Sequence, residues 1–264
     1  MVLYATGFNA WNQLQVEENS SVDDPDDISS FTCVSRNDAI ETVLPFFSYT
    51  RVRDNGTLHQ YASIRNLLSN SPSHTFPNFP DITQLVAYET GFAALSSTGQ
   101  VWTWGDERYA ACLGREPSDD SPADTPGLVP DLEDLPTGPV IKLVAGGYVL
   151  AALTAGNDLY CWGHAGRSPI LHDLSDTPSP VVIDDKDIVD VAVGDAHMLA
   201  LTADGEVYVT GDNANGQLGL PGVRSTTTWT RIDLGSVLDA EEAVVTGLVA
   251  GPRNSFLIVR KQPD

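Results

Sequence analysis

Apolar residues in this chain recur in short alternating runs separated by Gly, Asn, Asp and Pro, the two-residue period of strands punctuated by turns. Residues 188–220 carry the pattern most clearly. Val189, Val191 and Val193 alternate with other residues and stop at Gly194, which predicts a strand with one face buried. Met198 to Thr202 and Glu206 to Thr210 are two further apolar, β-branched runs, joined by Ala203-Asp204-Gly205, where Asp and Gly supply the positive φ a hairpin needs. Gly211 to Gly216 holds too much Gly and Asn to extend a strand, and Gln217-Leu218-Gly219-Leu220 ends the unit on a leucine expected to be buried. The prediction is one small antiparallel meander.

The same order of parts returns along the chain. Residues 82–115 give Ile82 to Ala87, Gly91 to Ser96 and Thr98 to Gly105, and finish on Ala111-Cys112-Leu113-Gly114. Residues 140–168 repeat it through Val144 to Tyr148, Leu150 to Thr154 and Asp158 to Gly163, without the Gln-Leu-Gly ending. Residues 31–67 are the faintest copy, in which Asp54-Asn55-Gly56 keeps the hairpin and Ser63 takes the place of the terminal glycine. The last copy is split. Val244 to Gly251 and Ser255 to Val259 make a first half, and Val2 to Asn9 with Trp11 to Leu14 make the second, so the unit is 244–262 plus 1–14. Pairing the two chain ends in one sheet removes free edges and closes a ring.

Gly-x-x-His-x-Leu-Ala-Leu-Thr-x-Asp-Gly-x-Val-Tyr-x-x-Gly-x-Asn-x-x-Gly-Gln-Leu-Gly, as it stands in residues 194–219, resembles the repeat of the regulator of chromosome condensation family. The resemblance implies a β-propeller with one four-stranded blade per repeat, commonly seven blades. Five units are found here, which departs from that number. The expected fold is therefore all-β: a single domain over 1–264, a propeller of about five four-stranded antiparallel blades closed by its N- and C-terminal strands.

Composition is consistent with this picture and narrows function. A chain of 264 residues, 42% of them hydrophobic, can bury a substantial core, and no stretch of about 18 consecutive apolar residues suggests a membrane span. The N-terminus has no basic region and runs directly into a repeat half, so a signal peptide is not expected. Cys33, Cys112 and Cys161 are odd in number and far apart, which argues for reduced thiols and a cytoplasmic or nuclear setting. A formal charge of −22, from 36 Asp plus Glu against 14 Lys plus Arg, disfavours direct contact with nucleic acid, because phosphate binding needs Lys and Arg. Such a surface steers basic protein partners, or simply keeps a compact domain soluble. Much of the charge lies in the connections: 17–30, which reads as a solvated linker without the ligand spacing of a calcium loop, then 67–80, 116–139, 171–186 and 221–243.

No catalytic constellation emerges. His59, His74, His164, His172 and His197 are scattered without metal-ligand spacing, and His197, the repeat histidine, is expected to tie its loop to its own or the next blade. No nucleophile elbow or phosphate loop is present. No cofactor is predicted. Function is then expected on loops. Strands in a meander alternate direction, so the loop between first and second strands and the loop after the third emerge on one face. That face would gather Glu89, Tyr148, Asp195, Arg253 and Asn254 near the axis, with Phe8, Trp11, Asp106, Arg108, Tyr109, His164, Arg167, Asp212 and Asn213 further out. Aromatic and Arg side chains dominate interface energies. The preferred expectation is a non-catalytic scaffold, monomeric or in a 1:1 heterodimer with a basic protein partner. It is similar to small eukaryotic family members of the alpha-tubulin suppressor type, which implies a part in tRNA wobble-uridine and diphthamide modification. The family also implies, as the alternative, a guanine nucleotide exchange factor for a Ran-like GTPase. A propeller glycosidase using paired carboxylates comes third.

Overall fold

A computed structural model describes residues 2–7, 27–36, 51–54, 57–60, 71–78, 80–164, 170–171, 173–236 and 243–261. In chain order the strands are β1 (Val2–Gly7) and β2 (Ile28–Arg36); β3 (Arg51–Asp54), β4 (Thr57–Gln60) and β5 (His74–Phe76); β6 (Ile82–Tyr88), β7 (Gly91–Ser96), β8 (Val101–Gly105) and β9 (Gly127–Leu128). They continue with β10 (Val140–Gly146), β11 (Val149–Thr154), β12 (Leu159–Gly163) and β13 (Ser179–Val181); β14 (Ile188–Val193), β15 (His197–Thr202), β16 (Val207–Asp212) and β17 (Ser225–Arg231); and β18 (Ala243–Ala250) with β19 (Asn254–Lys261).

These strands form five antiparallel sheets. Four have four strands, ordered β6-β7-β8-β9, β10-β11-β12-β13, β14-β15-β16-β17 and β18-β19-β1-β2. The last is the split unit, with β1 beside β19 from Val2↔Val259 to Gly7↔Asn254, so the two chain ends share a blade. The second blade departs from the expectation of four strands: β3-β4-β5 is three-stranded among the described residues, and it corresponds to strands two to four of the others.

The outer strand of every blade lies in what reads as a connection. β5, β9, β13 and β17 sit within 67–80, 116–139, 171–186 and 221–243. β2 occupies residues assigned by periodicity to the linker 17–30 and to the start of the unit 31–67, and it belongs to the blade before that unit. Edge strands need no apolar alternation, because one of their sides is open to solvent, so Ser, Thr and Pro are tolerated there and the period disappears. β17 shows this: Ser225-Thr226-Thr227-Thr228-Trp229-Thr230-Arg231 has no fully buried residue. Ser63 and residues 17–26 lie outside the described residues.

The core lies between blades. In β15, Met198 and Ala200 pack with β11 residues Val149, Ala151 and Leu153, while Leu199 and Leu201 pack with Leu248, Leu257 and Val259 of the split blade. β11 does the same, its Leu150 and Ala152 facing Leu95 and Val101 of the third blade. Leu58 reaches Ala94 and Trp104 across the junction of the second and third blades. A second strand buried on both faces reads as a continuous apolar run, each parity serving a different neighbour.

The innermost strands differ from simple alternation. In β6, β10, β14 and β18 the register slips at one shared place: Ile82/Gln84, Val140/Lys142, Ile188/Asp190 and Val245/Gly247. Such a bulge turns one residue outward. Val189, expected on the buried face with Val191 and Val193, is accordingly 42% exposed, and Ile188 is buried instead. The bulges also join blades. Gln84 Oε1 accepts from Leu143 N at 2.7 Å, Asp190 Oδ2 accepts from Leu248 N at 2.7 Å, and Lys142 Nζ pairs with Asp190 Oδ1.

A second set of contacts joins blades through the segments that follow β8, β12 and β16. Trp162 Nε1 donates to Cys112 O at 3.2 Å, Thr210 Oγ1 to Ile170 O at 2.6 Å, and Thr6 Oγ1 to Gly216 O at 2.6 Å. Each of these three segments thus lands on the third strand of the next blade. In the best-preserved unit the Gly-x-Asn-x-x-Gly-Gln-Leu-Gly residues shape this clasp. Asn213 Nδ2 donates to Leu220 O and Val223 O, its Oδ1 accepts from Leu218 N, and Gln217 Nε2 donates to Asp212 Oδ2. Leu218 is fully buried. His197 Nε2 pairs with Ser255 Oγ at 2.9 Å, and Ser255 Oγ donates to Gln217 O at 2.7 Å, so the repeat histidine links its blade to the next, as its position predicted.

Two outcomes follow from these seams. Asn213→Ala removes three hydrogen bonds and leaves buried backbone groups unpaired, and should cost about 3 kcal/mol in urea unfolding; an unchanged midpoint would contradict the clasp. Burial holds His197 down at about 4 against an ordinary 6.5. The unfolded chain therefore takes up this proton first, and the stability involved is fully present above about pH 6.5 and lost as pH falls through 4, on the order of 3 kcal/mol. Urea titrations between pH 7 and 4.5 should show a steeper loss for the wild type than for His197→Gln, in which carboxylates titrate but this group is gone.

Candidate functional site

The loops between first and second strands touch one another in succession. Glu89 N donates to Gly147 O at 2.8 Å, and Asp195 N to Pro252 O at 3.2 Å. At Gly147, φ is +51 and an added Cβ would stand 1.9 Å from Asp195 O, so only glycine lets the fourth and fifth loops meet this closely. Glu89, Asp195 and Arg253 are exposed on this run of loops. Desolvation by the surrounding loops, then the Glu89 charge, hold the Asp195 carboxyl above the ordinary carboxylate range, while Arg253 pulls it the other way.

The loops after the third strands are anchored to the same place. At Gly163, φ is +139 and a Cβ would meet Tyr148 O at 2.1 Å; His164 N then donates to that oxygen at 2.9 Å. This bond sets His164 beside Tyr148. From the third blade, Asp106 caps a 3-10 turn, Glu107–Tyr109, by accepting from Arg108 N at 3.0 Å, and the chain continues into a one-turn helix, Ala110–Leu113, whose Cys112 and Leu113 are buried. Cys112 Sγ donates to Tyr148 O at 3.3 Å. The turn is thereby held against the fourth blade, and Tyr109 meets Tyr148 and His164. The ring centroids are 5.3 Å apart for Tyr109 and Tyr148, 6.0 Å for Tyr109 and His164, and 6.2 Å for Tyr148 and His164. Arg108 folds back on Asp106, with Nη2 2.6 Å from Oδ2 and Nε 3.0 Å from Oδ1. This pairing lowers the Asp106 carboxyl and raises the guanidinium.

The structure thus brings Glu89, Tyr109, Tyr148 and His164 together, with Asp106 and Arg108 on the same turn and Asp195 with Arg253 further along the loops. Asn213 is corrected: it is buried, with its amide bonded inside the clasp, and presents nothing to a partner. Asp212, half-buried, accepts from Gln217 in the same loop. Phe8, Trp11 and Arg167 lie outside the described residues.

Arg115 escaped the sequence pattern. It is buried and donates to Thr103 O, Ser121 O, Pro122 O and Thr125 O, fixing the acidic connection that leads to β9. An Arg beside acids in a loop reads as solvated, and only the fold wraps carbonyls around it. Burial raises the Cys112 and Cys161 thiols, and His197 lies in a seam. Among the described residues no group of three His, Cys, Asp or Glu is placed to hold a metal ion.

Comparison with known proteins gives a consistent result. Residues 188–217 match the family model of the regulator of chromosome condensation (RCC1) repeat. The chain is 32% identical over 167 residues to human E3 ubiquitin-protein ligase HERC2, covering 62% of this chain and 3% of that protein. It is 30% identical over 169 residues to the mouse regulator of chromosome condensation, covering 62% of this chain and 39% of the relative. It therefore spans well under half the length of either. Among solved structures, yeast RCC1 (Prp20) bound to Kap60 superposes with a TM-score of 0.61 at 16% identity, over 84% of this chain and 56% of that one, which supports the fold.

Arg115→Met should lower the unfolding midpoint and open the 116–126 connection to limited proteolysis, because several carbonyls lose their donor. Arg108→Ala, by contrast, should leave the midpoint where the wild type has it, since the guanidinium is itself exposed. A cleavage pattern unaltered by Arg115→Met would show that the guanidinium does not hold this connection.

Proposed function

This chain is an RCC1-like propeller, and on that premise we propose that it is a non-catalytic scaffold whose loop face takes a protein partner. The observation that supports this most directly is the meeting of Tyr109, Tyr148 and His164 at the junction of two blades, flanked by exposed charges on loops that hydrogen bonds hold in place. Rings on a preorganised surface are the type of group on which interfaces depend, because little entropy is lost when they are covered. The net charge of −22 favours a partner with a basic surface. Cytoplasm or nucleus is the expected setting. Within the same reading, the resemblance to alpha-tubulin suppressor proteins points to tRNA wobble-uridine and diphthamide modification.

A second reading is exchange activity on a Ran-like GTPase, favoured by similarity to the mouse regulator of chromosome condensation. Hydrolysis of sugars has less support. Gly147 of the intervening loop meets both the Glu89 backbone and the Asp195 backbone, so the two acids stand on separate loops with main chain between them.

The readings separate in two measurements. Release of labelled GDP from Ran should be the same with and without catalytic amounts of the protein; acceleration would replace the scaffold by an exchange factor. Affinity capture should recover one stoichiometric, salt-sensitive partner, and Arg108→Ala, which disturbs the Asp106 turn without touching the core, should weaken the complex several-fold. Capture of no partner under any salt condition would sink the scaffold.

A further inference from the structure

The corner at Tyr109, Tyr148 and His164 has the features of a seat for a planar cation. The two tyrosine rings have centroids 5.3 Å apart and planes tilted by 30°, an offset stack, and His164 meets both at 76°, edge-on. Aromatic faces are negative at their centres and attract a cation, most strongly one that can lie flat on them. Glu89, bonded through its backbone to Gly147 next to Tyr148, supplies a carboxylate at the rim, and Asp195 stands against Gly147 from the other side. Arg108, the cation next to Tyr109 in the chain, is turned onto Asp106.

We infer that this corner receives an arginine side chain from a basic segment of the protein partner, the guanidinium packing against the stack of Tyr109 and Tyr148 with Glu89 as its counter-charge. The inference rests on the scaffold reading and names the chemistry of its partner. Charge complementarity supplies the occupant: a chain with a formal −22 draws basic segments toward it, and rings beside a carboxylate select arginine among their side chains. Lysine, a compact and strongly hydrated charge, gains less from stacking on an aromatic ring.

The test uses the full chain and three fluorescent peptides of alternating glycine and a second residue, six copies each of arginine, lysine or the uncharged arginine isostere citrulline. The arginine peptide should bind several-fold more tightly than the lysine peptide, and the citrulline peptide should not bind measurably. Tyr148→Leu, with its thermal midpoint checked to confirm folding, should weaken the arginine peptide about 3- to 10-fold and remove its advantage over lysine. Glu89→Gln should weaken both charged peptides and flatten their salt dependence. Equal binding of the arginine and lysine peptides, or full arginine affinity in Tyr148→Leu, overturns the proposal. The two levels also come apart. A captured partner that stays bound to Tyr148→Leu overturns the arginine seat and leaves the scaffold standing, whereas ring-dependent arginine binding with no partner captured keeps the seat and removes the scaffold.

Discussion

The interaction on which this structure depends is the landing of the segments after β8, β12 and β16 on the blade that follows each. A blade of this size cannot bury both its faces by itself, and its apolar residues find partners only across a seam. Apolar packing has no direction, so it does not settle how far one sheet is turned against the next. The clasp does, because Trp162, Thr210 and Thr6 each donate to one carbonyl of the preceding unit's segment. Asn213 and Gln217 keep that segment in the one shape whose carbonyls face outward to the neighbour.

At the inner edge the same problem has a different solution. Strands closest to the axis pair on one side only, which leaves backbone N–H groups that need acceptors. The shared bulge turns a side chain toward the next inner strand, and where that side chain is Gln84 or Asp190 it accepts the orphaned N–H directly. Lys142 cannot accept, and it reaches Asp190 instead. One backbone irregularity therefore serves several seams with different side chains, which hides it from any search for a repeated residue.

The face available to a partner is a by-product of these constraints. Loops that have to touch so that blades can pack also bring Tyr148 and His164 to one carbonyl, and the helix that delivers Cys112 to the seam carries Tyr109 to the same corner. Rigidity and exposure coincide there, since the backbone under each ring is hydrogen-bonded, and Cys112 Sγ ties the Tyr148 carbonyl across the seam, while the ring is left partly open. Acids dominate around them. A basic segment meets an attractive field at long range and specific rings at contact.

Local chemistry was enough to reveal the repeat, the hairpins at Asp204-Gly205, the split unit and the role of His197, since turn residues, period-two runs and a glycine that admits no Cβ leave marks within a few positions. The identity of Tyr109, Tyr148 and His164 as loop residues of one face was legible for the same reason. Their meeting was not, because it comes from the angle between two blades, and neighbours across a seam share no spacing along the chain. The outer strands, the bulge that exposes Val189, the buried Asn213 and the buried Arg115 were decided by tertiary structure alone. An edge strand has no apolar face to display, and a polar side chain looks the same in sequence whether water or backbone carbonyls complete its hydrogen bonds.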